Sequence, residues 1–395
     1  MIRNAPEHYG HAVMPQANHD EQALEEHFLA LREWTARNLD PLDRRLLDEV
    51  VVPEVGEKLG RVPGKSSEVR CALEAEPFHQ YWLTLTLAYQ DRMWHAIDEA
   101  IDRQFDDLAG EVEKYVANPK GSLRLNPDLQ IPRYITAIDN HRMPGSYTVD
   151  TADNDFRAGA LYDRFSSTYL RMFNGGWKND GRGHTVASHV MDFYPDLKPK
   201  RILDLGCSIG QSTVALSAAF PDAEIYGVDI GAPMLRYGHA RAEALGAAIH
   251  LSQQNAECTD FPDGSFDLVC SAAVLHETST KGMRAIFKES HRLLRSGGVM
   301  VHVDVPARHE HLGLWDQMRL DWESHYNNEP FMTVLARTDW MEVAKAAGFA
   351  EEKTAVGYRR GVRELDPKRE DFFTEGHPEG RTMLGSWYAC SSVKD

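Results

Sequence analysis

The sequence is poor in cysteine, and this scarcity excludes two kinds of stabilisation. It contains five cysteines in 395 residues, an odd number, scattered along the chain with no CxxC pair. A disulfide framework needs paired cysteines in a short chain, and a structural zinc site usually needs two closely spaced pairs. We therefore expect neither a disulfide scaffold nor a zinc finger. The cysteines are Cys71, Cys207, Cys258, Cys270 and Cys390.

Long apolar runs and an excess of positive charge are also missing. No stretch of about 18 uncharged apolar residues occurs, and the first residues are polar, without the apolar core of a secretion signal. The chain has 43 basic and 60 acidic residues, a net charge of -17, which repels nucleic acid and anionic lipid. We therefore expect a cytoplasmic protein with neither a nucleic-acid nor a membrane partner.

The first part of the sequence is typical of a helical domain. Apolar residues recur at three- and four-residue steps, and Pro53, Pro63 and Pro77 divide the region into about four helices. Prolines and glycines then follow one another closely. We predict a helical N-terminal domain over residues 1–118, which encloses the substrate or forms a homodimer, and a connector over residues 119–155.

Beyond the connector, the pattern changes to alternating strands and helices. Repeated strand–helix units predict an α/β fold in which a mostly parallel sheet lies between helices, over residues 156–395. An aromatic-rich stretch after the fifth strand fits no such unit, and we expect a helical cap there at about 307–335. The predicted strands are Arg201–Leu205, Ala223–Val228, Ala248–Ser252, Phe266–Ala272, Gly298–Val305, Glu352–Tyr358 and Met383–Ser391. The predicted helices are Phe156–Phe173, Thr185–Phe193, Gln211–Phe220, Pro233–Leu245, Lys281–Leu294 and Thr338–Ala347.

A glycine-containing turn joins the first of these strands to the next helix. The turn runs from Gly206 to Gly210 after Asp204, and its glycines let a ligand approach the backbone closely. The second strand ends about 20 residues later at Asp229, where a carboxylate can bind two ribose hydroxyls. The turn lacks the third glycine of a pyrophosphate-binding loop. The pattern therefore favours a nucleoside ligand without a pyrophosphate.

The order of these pieces resembles the class I S-adenosyl-L-methionine (SAM)-dependent methyltransferases. Asp204 to Gly210 is similar to their first motif, Asp229 to their ribose-binding acid, and Asn255 to Glu257 to their adenine-binding segment. The resemblance implies a Rossmann-like, seven-stranded, mostly parallel sheet, with SAM as cofactor and S-adenosyl-L-homocysteine as product. The cofactor contacts that it implies are Tyr162, Asp204, Gly206, Cys207, Ser208, Gly210, Gln211, Ser212, Asp229, Ile230, Met234, Asn255, Ala256, Glu257 and Ser271.

Methyl transfer depends mainly on placing the acceptor in line with the bond that breaks, so no covalent residue is required. His276 follows the fourth strand, where the resemblance implies that it faces the substrate. A histidine with an unshifted pKa near 6.5 is suited to act as a general base. Glu277 could orient it. The alternative is that His276 lines the pocket without transferring a proton.

Large aromatic side chains supply the predicted substrate contacts. Tyr147 lies in the connector, and Trp315, Trp322 and Tyr326 lie in the expected cap. A cap at the carboxyl edge of a parallel sheet is placed to cover a substrate. Packing between helices is the alternative for each of these aromatics.

The sequence offers one local histidine pair that could suggest a metal site. His309-Glu310-His311 lacks a third ligand at a diagnostic distance. We therefore expect no metal.

The predicted function is methylation of a small molecule, most simply at oxygen. This choice depends on His276 and on the absence of the Asn/Asp-Pro-Pro-Tyr motif that relatives acting on nitrogen carry after the fourth strand. Carbon methylation, a carboxylate acceptor and a SAM-bound cyclisation or decarboxylation stay open. A non-enzymatic alternative is a cofactor-sensing, partner-binding protein that dimerises through an apolar stripe. The stripe is Phe78, Tyr81, Trp82, Leu85, Tyr89 and Trp94.

Overall fold

A computed structural model of the chain describes most of its residues, and all statements below concern that part. The end of the predicted helix beyond Tyr169 and the start of the predicted strand at Met383 lie outside it. The described residues are 10–169, 176–306, 308–362, 373–374 and 386–395.

Six α-helices precede the first described strand, where the sequence predicted about four. Pro53 does not interrupt a helix, because it lies in the first turn, where its missing N–H is not needed. A π-helical turn, Leu47–Val51, leads directly into that helix. Gln104 separates two helices without a proline, and Leu39 separates two others just ahead of Pro41, which lies in the first turn of the second. The helices are α1 (His19–Asn38), α2 (Asp40–Leu46), α3 (Val52–Leu59), α4 (Ser66–Glu74), α5 (Pro77–Arg103) and α6 (Phe105–Val116).

The described strands form one sheet. They are β1 (Ser122–Arg124), β2 (Arg201–Leu205), β3 (Glu224–Asp229), β4 (His250–Gln253), β5 (Phe266–Ala272), β6 (Leu294–Asp304), β7 (Thr354–Arg360), β8 (Phe373–Thr374) and β9 (Ser386–Val393).

The strand order is β1-β4-β3-β2-β5-β6-β9-β7-β8. Strands β1 to β6 pair in parallel, and β9 pairs antiparallel with both β6 and β7. The predicted α/β fold with a mostly parallel sheet is thus confirmed. The prediction of seven strands missed β1 and β8, which are too short for a periodic pattern to reveal them.

Helices cover both faces of the sheet. The remaining helices are α7 (Arg133–Thr136), α8 (Arg157–Tyr169), α9 (Gly181–Phe193), α10 (Gln211–Ala219), α11 (Ala232–Ala244), α12 (Thr280–Leu293), α13 (Leu314–Tyr326), α14 (Met332–Arg337) and α15 (Trp340–Ala347). Buried residues of α9, α10 and α11 pack on one face, and those of α12 and α15 pack on the other.

The N-terminal helices pack onto this α/β layer through α8 and α13. Trp94 of α5 stacks on Phe165 of α8 with ring centroids 3.4 Å apart, in a cluster that extends to Met234 of α11. Trp322 of α13 packs against Trp82 of α5. The expected cap helix α13 therefore packs together with the N-terminal helices.

None of the described helices is both long and apolar enough to cross a bilayer.

Candidate active site

The glycine turn and Asp229 come together at the carboxyl ends of β2 and β3, which are neighbours in the sheet. Gly206 and Gly210 adopt positive φ angles of 73° and 75°, which a side chain would strain. The Asp229 carboxylate accepts the backbone N–H of Ser208 at 2.8 Å and of Gly231 at 2.9 Å. The Asp229 carboxylate therefore holds the loop in its conformation and also faces the space beside it.

A cavity of about 470 Å³ opens in front of this loop. Thirteen of the residues predicted as site residues line it, and they come from seven segments of the chain. They are Tyr147, Tyr162, Gly206, Ser208, Asp229, Ile230, Met234, Asn255, Ala256, Glu257, His276, Glu277 and Trp322.

Four other residues predicted as cofactor contacts lie in or behind the loop. Burial raises the pKa of Asp204 to about 7, and its carboxylate accepts a hydrogen bond from Thr213 at 2.7 Å. Cys207 is buried, and Gly210 is the N-cap of α10. Gln211 bonds to Asn179 and to Arg182. These residues form or support the loop and do not line the cavity.

Four further predicted contacts also lie away from the cavity wall. Ser212 is buried within α10, and the Ser271 hydroxyl bonds to His302 at 2.7 Å inside the core. Trp315 packs against Trp82 with centroids 6.1 Å apart. The Tyr326 hydroxyl donates to Glu74 at 3.0 Å. For the two aromatics, the packing alternative describes the structure, because neighbouring helices cover the faces on which they lie.

The segment predicted to lie near adenine has its own support. The side chain of Asn255 accepts the backbone N–H of Glu257 at 2.9 Å. The Tyr134 hydroxyl donates to the Glu257 carboxylate at 2.5 Å. Burial and this carboxylate raise the pKa of Tyr134 well above its usual range. No local sequence pattern marks Tyr134, because its partner lies far along the chain.

His276 lies in a 3-10 turn directly after β5, and Asp304 at the end of β6 orients it. Its Nδ1 atom is 2.6 Å from Oδ1 of Asp304, whose other oxygen accepts the backbone N–H of Leu275 at 2.7 Å. Burial by itself would lower the pKa of His276, but Asp304, Glu277 and Glu329 raise it to about 9. The argument from an unshifted pKa near 6.5 therefore does not hold.

The sequence suggested that Glu277 orients His276, but in the structure Glu277 contacts other side chains. Its Oε1 atom is 3.7 Å from Nε2 of His276 but 2.9 Å from Nε2 of His141. The Tyr147 hydroxyl also donates to Oε1, at 3.0 Å. Burial would raise the pKa of Glu277, but His141 in particular lowers it to about 2. Adjacent side chains diverge here, so the two residues meet different partners.

The cavity-facing or supporting residues that were missed from the sequence include His141, Asp304 and Glu329. The Nδ1 atom of His141 is 2.9 Å from Oε1 of Glu329. Burial by itself would lower the pKa of His141, but Glu329 and Glu277 raise it well above its usual value. A signal existed only for Asp304, because it ends a strongly apolar strand beside β5, and the carboxyl ends of parallel strands share one edge.

The opposite wall of the cavity comes from helices. Tyr89 and Thr86 of α5, Arg32 of α1, and Trp322 and Glu323 of α13 line it. The cavity therefore lies between the strand ends and the helical layer, with a polar cluster on one side and aromatic rings on the other.

Comparison with known proteins gives the chemical class of the core. Residues 202–298 match the family model of a methyltransferase domain. This segment is a methyltransferase domain. It contains the loop, Asp229 and His276, whereas His141, Asp304 and Glu329 lie outside it.

Curated relatives of the methyltransferase domain are also named as methyltransferases. A demethylmenaquinone methyltransferase of Thermus thermophilus is 33% identical over 117 residues, which is 30% of this chain and 52% of that protein. A malonyl-[acyl-carrier protein] O-methyltransferase of Legionella pneumophila is 32% identical over 108 residues, 27% of this chain and 37% of that protein. The chain thus spans about half the length, or less, of these relatives.

A solved structure is similar over a larger part of the chain. It is a SAM-dependent methyltransferase of Thermotoga maritima, described as a possible histamine N-methyltransferase. It is 18% identical, covers 59% of this chain and 98% of its own, and has a TM-score of 0.41.

Proposed function

We propose that this protein is a SAM-dependent methyltransferase that methylates an oxygen atom of a small molecule. The observation that carries the proposal is one continuous cavity, which the glycine-containing loop, Asp229 and His276 line together. A nucleoside-binding loop and a polar cluster that face one enclosed space can bring cofactor and acceptor into contact. The methyltransferase domain supports the reaction class.

The residues at the loop fit SAM. The Ser208 hydroxyl oxygen is buried and has no hydrogen-bond partner among the described residues, so a polar ligand atom can bind it. Asp229 accepts one backbone N–H on each oxygen, and each keeps a lone pair for a ribose hydroxyl. A Cβ atom at Gly206 would lie 2.7 Å from Val274 and crowd this space.

The proposed contacts follow from this placement. Asp229 binds the ribose, Ile230 and Met234 border the adenine, and Gly206 and Ser208 lie along the methionine portion. When bound, SAM supplies an electrophilic methyl group on a sulfonium. The other proposed contacts are Tyr162, Asn255, Ala256 and Glu257.

The remaining space suits a small acceptor with an apolar body. The whole cavity, including the space at the loop, has a volume of about 470 Å³, which lies within the usual range for small-molecule sites, roughly 300–1,000 Å³. Tyr89 and Trp322 supply aromatic surface, and His276 supplies a polar end. We propose that residues 1–118 and the cap enclose the acceptor.

Oxygen is the proposed acceptor atom because the polar end is rich in hydrogen-bonding groups. Asp304 occupies Nδ1 of His276, which leaves Nε2 to contact the acceptor oxygen. The Legionella relative is also named as an O-methyltransferase. The sequence after β5 lacks the Asn/Asp-Pro-Pro-Tyr motif.

The non-enzymatic alternative loses its main supporting argument. It required an exposed apolar stripe on α5, but Trp82, Tyr89 and Trp94 are buried within the chain, and only Tyr81 of the stripe is exposed. A stripe that packs internally offers little surface for a partner.

Calorimetric titration of the purified protein with SAM and with S-adenosylhomocysteine tests the proposal. We expect one binding site for each nucleoside. Release of S-adenosylhomocysteine with oxygen-containing aromatic and carboxylic acids then identifies acceptors and separates methyl transfer from cyclisation or decarboxylation. Failure of both nucleosides to bind would refute the proposal.

Asp229→Ala should weaken the binding of both nucleosides by roughly 10- to 100-fold, because hydrogen bonds from the ribose to a charged partner are lost. Glu224→Gln is the matched control, since Glu224 is an exposed carboxylate at the other end of β3. Unchanged affinity in Asp229→Ala would show that the nucleoside binds elsewhere.

A further inference from the structure

Two imidazoles and a carboxylate converge on one point of the cavity wall, and we propose that His141, His276 and Glu329 bind a divalent first-row transition-metal ion. Each contributes one candidate ligand atom, and these atoms all lie within 4.8 Å of one another. Imidazole and carboxylate together suit ions such as Zn²⁺, Fe²⁺ and Co²⁺. The sequence did not predict this site, because its three ligands come from separate segments of the chain.

The spacing of the ligand atoms is compatible with one small ion. Nδ1 of His141 is 2.9 Å from Oε1 of Glu329, and Nε2 of His276 is 3.9 Å from Oε2. An ion with bonds of about 2.0–2.1 Å in tetrahedral geometry separates its ligand atoms by about 3.3 Å. Since the ligand atoms lie within 4.8 Å of one another, they would have to approach by at most about 1.5 Å to reach this separation.

One atom of the cluster lacks a partner. Glu329 is 3% exposed, and its Oε2 atom is buried without a hydrogen bond among the described residues. Its other oxygen accepts a hydrogen bond from Asn327 at 2.7 Å. A buried carboxylate oxygen without a donor is costly, and a cation beside it would remove the cost.

The surroundings have the arrangement that supports metal-binding histidines. Asp304 holds Nδ1 of His276 at 2.6 Å, which directs Nε2 to the cluster. Carboxylate–histidine pairs of this kind orient a ligand and raise its basicity. The carboxylates Glu277, Glu329 and Asp304 also outnumber the two imidazoles, so the cluster can accommodate added positive charge.

His141 is held in an unusual backbone conformation. Its φ angle is 53°, and its carbonyl accepts hydrogen bonds from Gln90 at 2.9 Å and from Trp94 at 3.0 Å. Asn328, which precedes Glu329, has a φ angle of 57°. Helix α5 thus fixes one ligand, and the chain after α13 presents another.

The position of the ion gives it a role that rests on the proposed function. All three ligands line the cavity that also holds the glycine loop and Asp229. With the ion bound, Nε2 of His276 would act on the acceptor through the ion and not by direct contact, because an ion with three protein ligands keeps a position for water or for an oxygen of the acceptor. A bound acceptor would then be an oxygen donor such as a phenol or a carboxylate.

The test is titration of chelator-treated full-length protein with Co²⁺, followed by calorimetry and by the visible absorption of the bound ion. We expect one ion per chain and a spectrum with nitrogen ligation. Glu329→Gln and His141→Asn should each weaken binding at least roughly 100-fold, and Asp304→Asn, a positioning residue, by roughly 10- to 100-fold. His309→Asn is the control, since His309 bonds to Arg337 outside the cavity, and it should bind Co²⁺ like the unaltered chain.

The outcomes separate this proposal from the proposed function. Nucleoside binding without Co²⁺ binding would overturn the metal site alone, and Co²⁺ binding without nucleoside binding would overturn only the methyltransferase proposal. Loss of Co²⁺ binding in His309→Asn but not in Glu329→Gln would also overturn the site. Circular dichroism of each variant checks folding, and the unaltered protein decides the result if a variant does not fold.

Discussion

At the scale of single residues, depth along a strand decides what a polar side chain does. His302 and Asp304 lie on the same strand, two residues apart. His302 is fully buried between the Ser271 hydroxyl at 2.7 Å and the Ser290 hydroxyl at 3.1 Å. Asp304, at the end of the strand, reaches His276 at the cavity. Ser271, predicted as a cofactor contact, belongs to the buried group for the same reason.

The His302 imidazole should make the protein sensitive to acid. Burial lowers the pKa of His302 to about 3, so below pH 6.5 the unfolded chain gains a proton that the folded chain does not. The contribution of neutral His302 to the free energy of unfolding has its full value above pH 6.5. This contribution falls by about 1.4 kcal/mol per pH unit as the pH drops toward 3. Urea unfolding between pH 7 and pH 5 measures the total slope, to which His302 is one contributor and His189, whose pKa burial also lowers to about 3, is another.

His302→Gln should reduce that slope, whereas His95→Gln, a change at an exposed position of α5, should leave it unchanged. Equal slopes in the unaltered protein and in His302→Gln would contradict the assignment.

At the scale of elements, α1 is attached to α8 by a buried ion pair. Glu25 of α1 is 1% exposed, and its carboxylate accepts two hydrogen bonds from Arg164 of α8, at 2.6 and 3.0 Å. Breaking such a pair by removing one partner is costly, because the other charge stays buried. The pair therefore holds a cavity-lining helix against the α/β layer.

Glu25→Gln should lower the free energy of unfolding by about 3 kcal/mol. On the same helix, Glu33 forms an exposed pair with Arg37 at 3.0 Å, and Glu33→Gln should cost less than about 0.5 kcal/mol. Chemical denaturation of both variants compares the two pairs. A similar cost for both would mean that the Glu25 pair adds nothing through its burial.

At the scale of the whole molecule, the cavity exists because two layers meet. The parallel sheet presents its loops and carboxylates at the carboxyl ends of its strands, and α1, α5 and α13 lie across that edge. Neither layer encloses the space alone. The first layer should therefore determine cofactor affinity, and the second should determine which acceptor fits.

Thr86→Phe should separate these two roles. Thr86 lies on α5 in the helical wall, so a larger side chain fills acceptor space while the SAM loop is unaltered. We expect S-adenosylhomocysteine affinity within about twofold and turnover at least roughly 10-fold lower. Thr84→Phe, at an exposed position of the same helix, should change neither. An equal loss of cofactor affinity in Thr86→Phe would show that the layers are not independent.

Much of the α/β region could be predicted from local sequence. The strands Arg201–Leu205 and Phe266–Ala272 were predicted with their observed bounds. The helix that ends at Ala347 was predicted from the glycine after it, and Gly348 indeed has a φ angle of 108°. The very short β1 and β8 were missed, because two or three residues carry no measurable period.

The sequence by itself determined the glycine loop, Asp229 and the alternation of strands and helices, because each depends on residues close together in the chain. Only the tertiary structure decided that His141 and Glu329 join His276, and that Trp315 and Tyr326 pack away from the cavity. Contacts between such distant side chains depend on which helix faces pack against one another. That choice is made by the packing of the whole molecule, and no local period contains it.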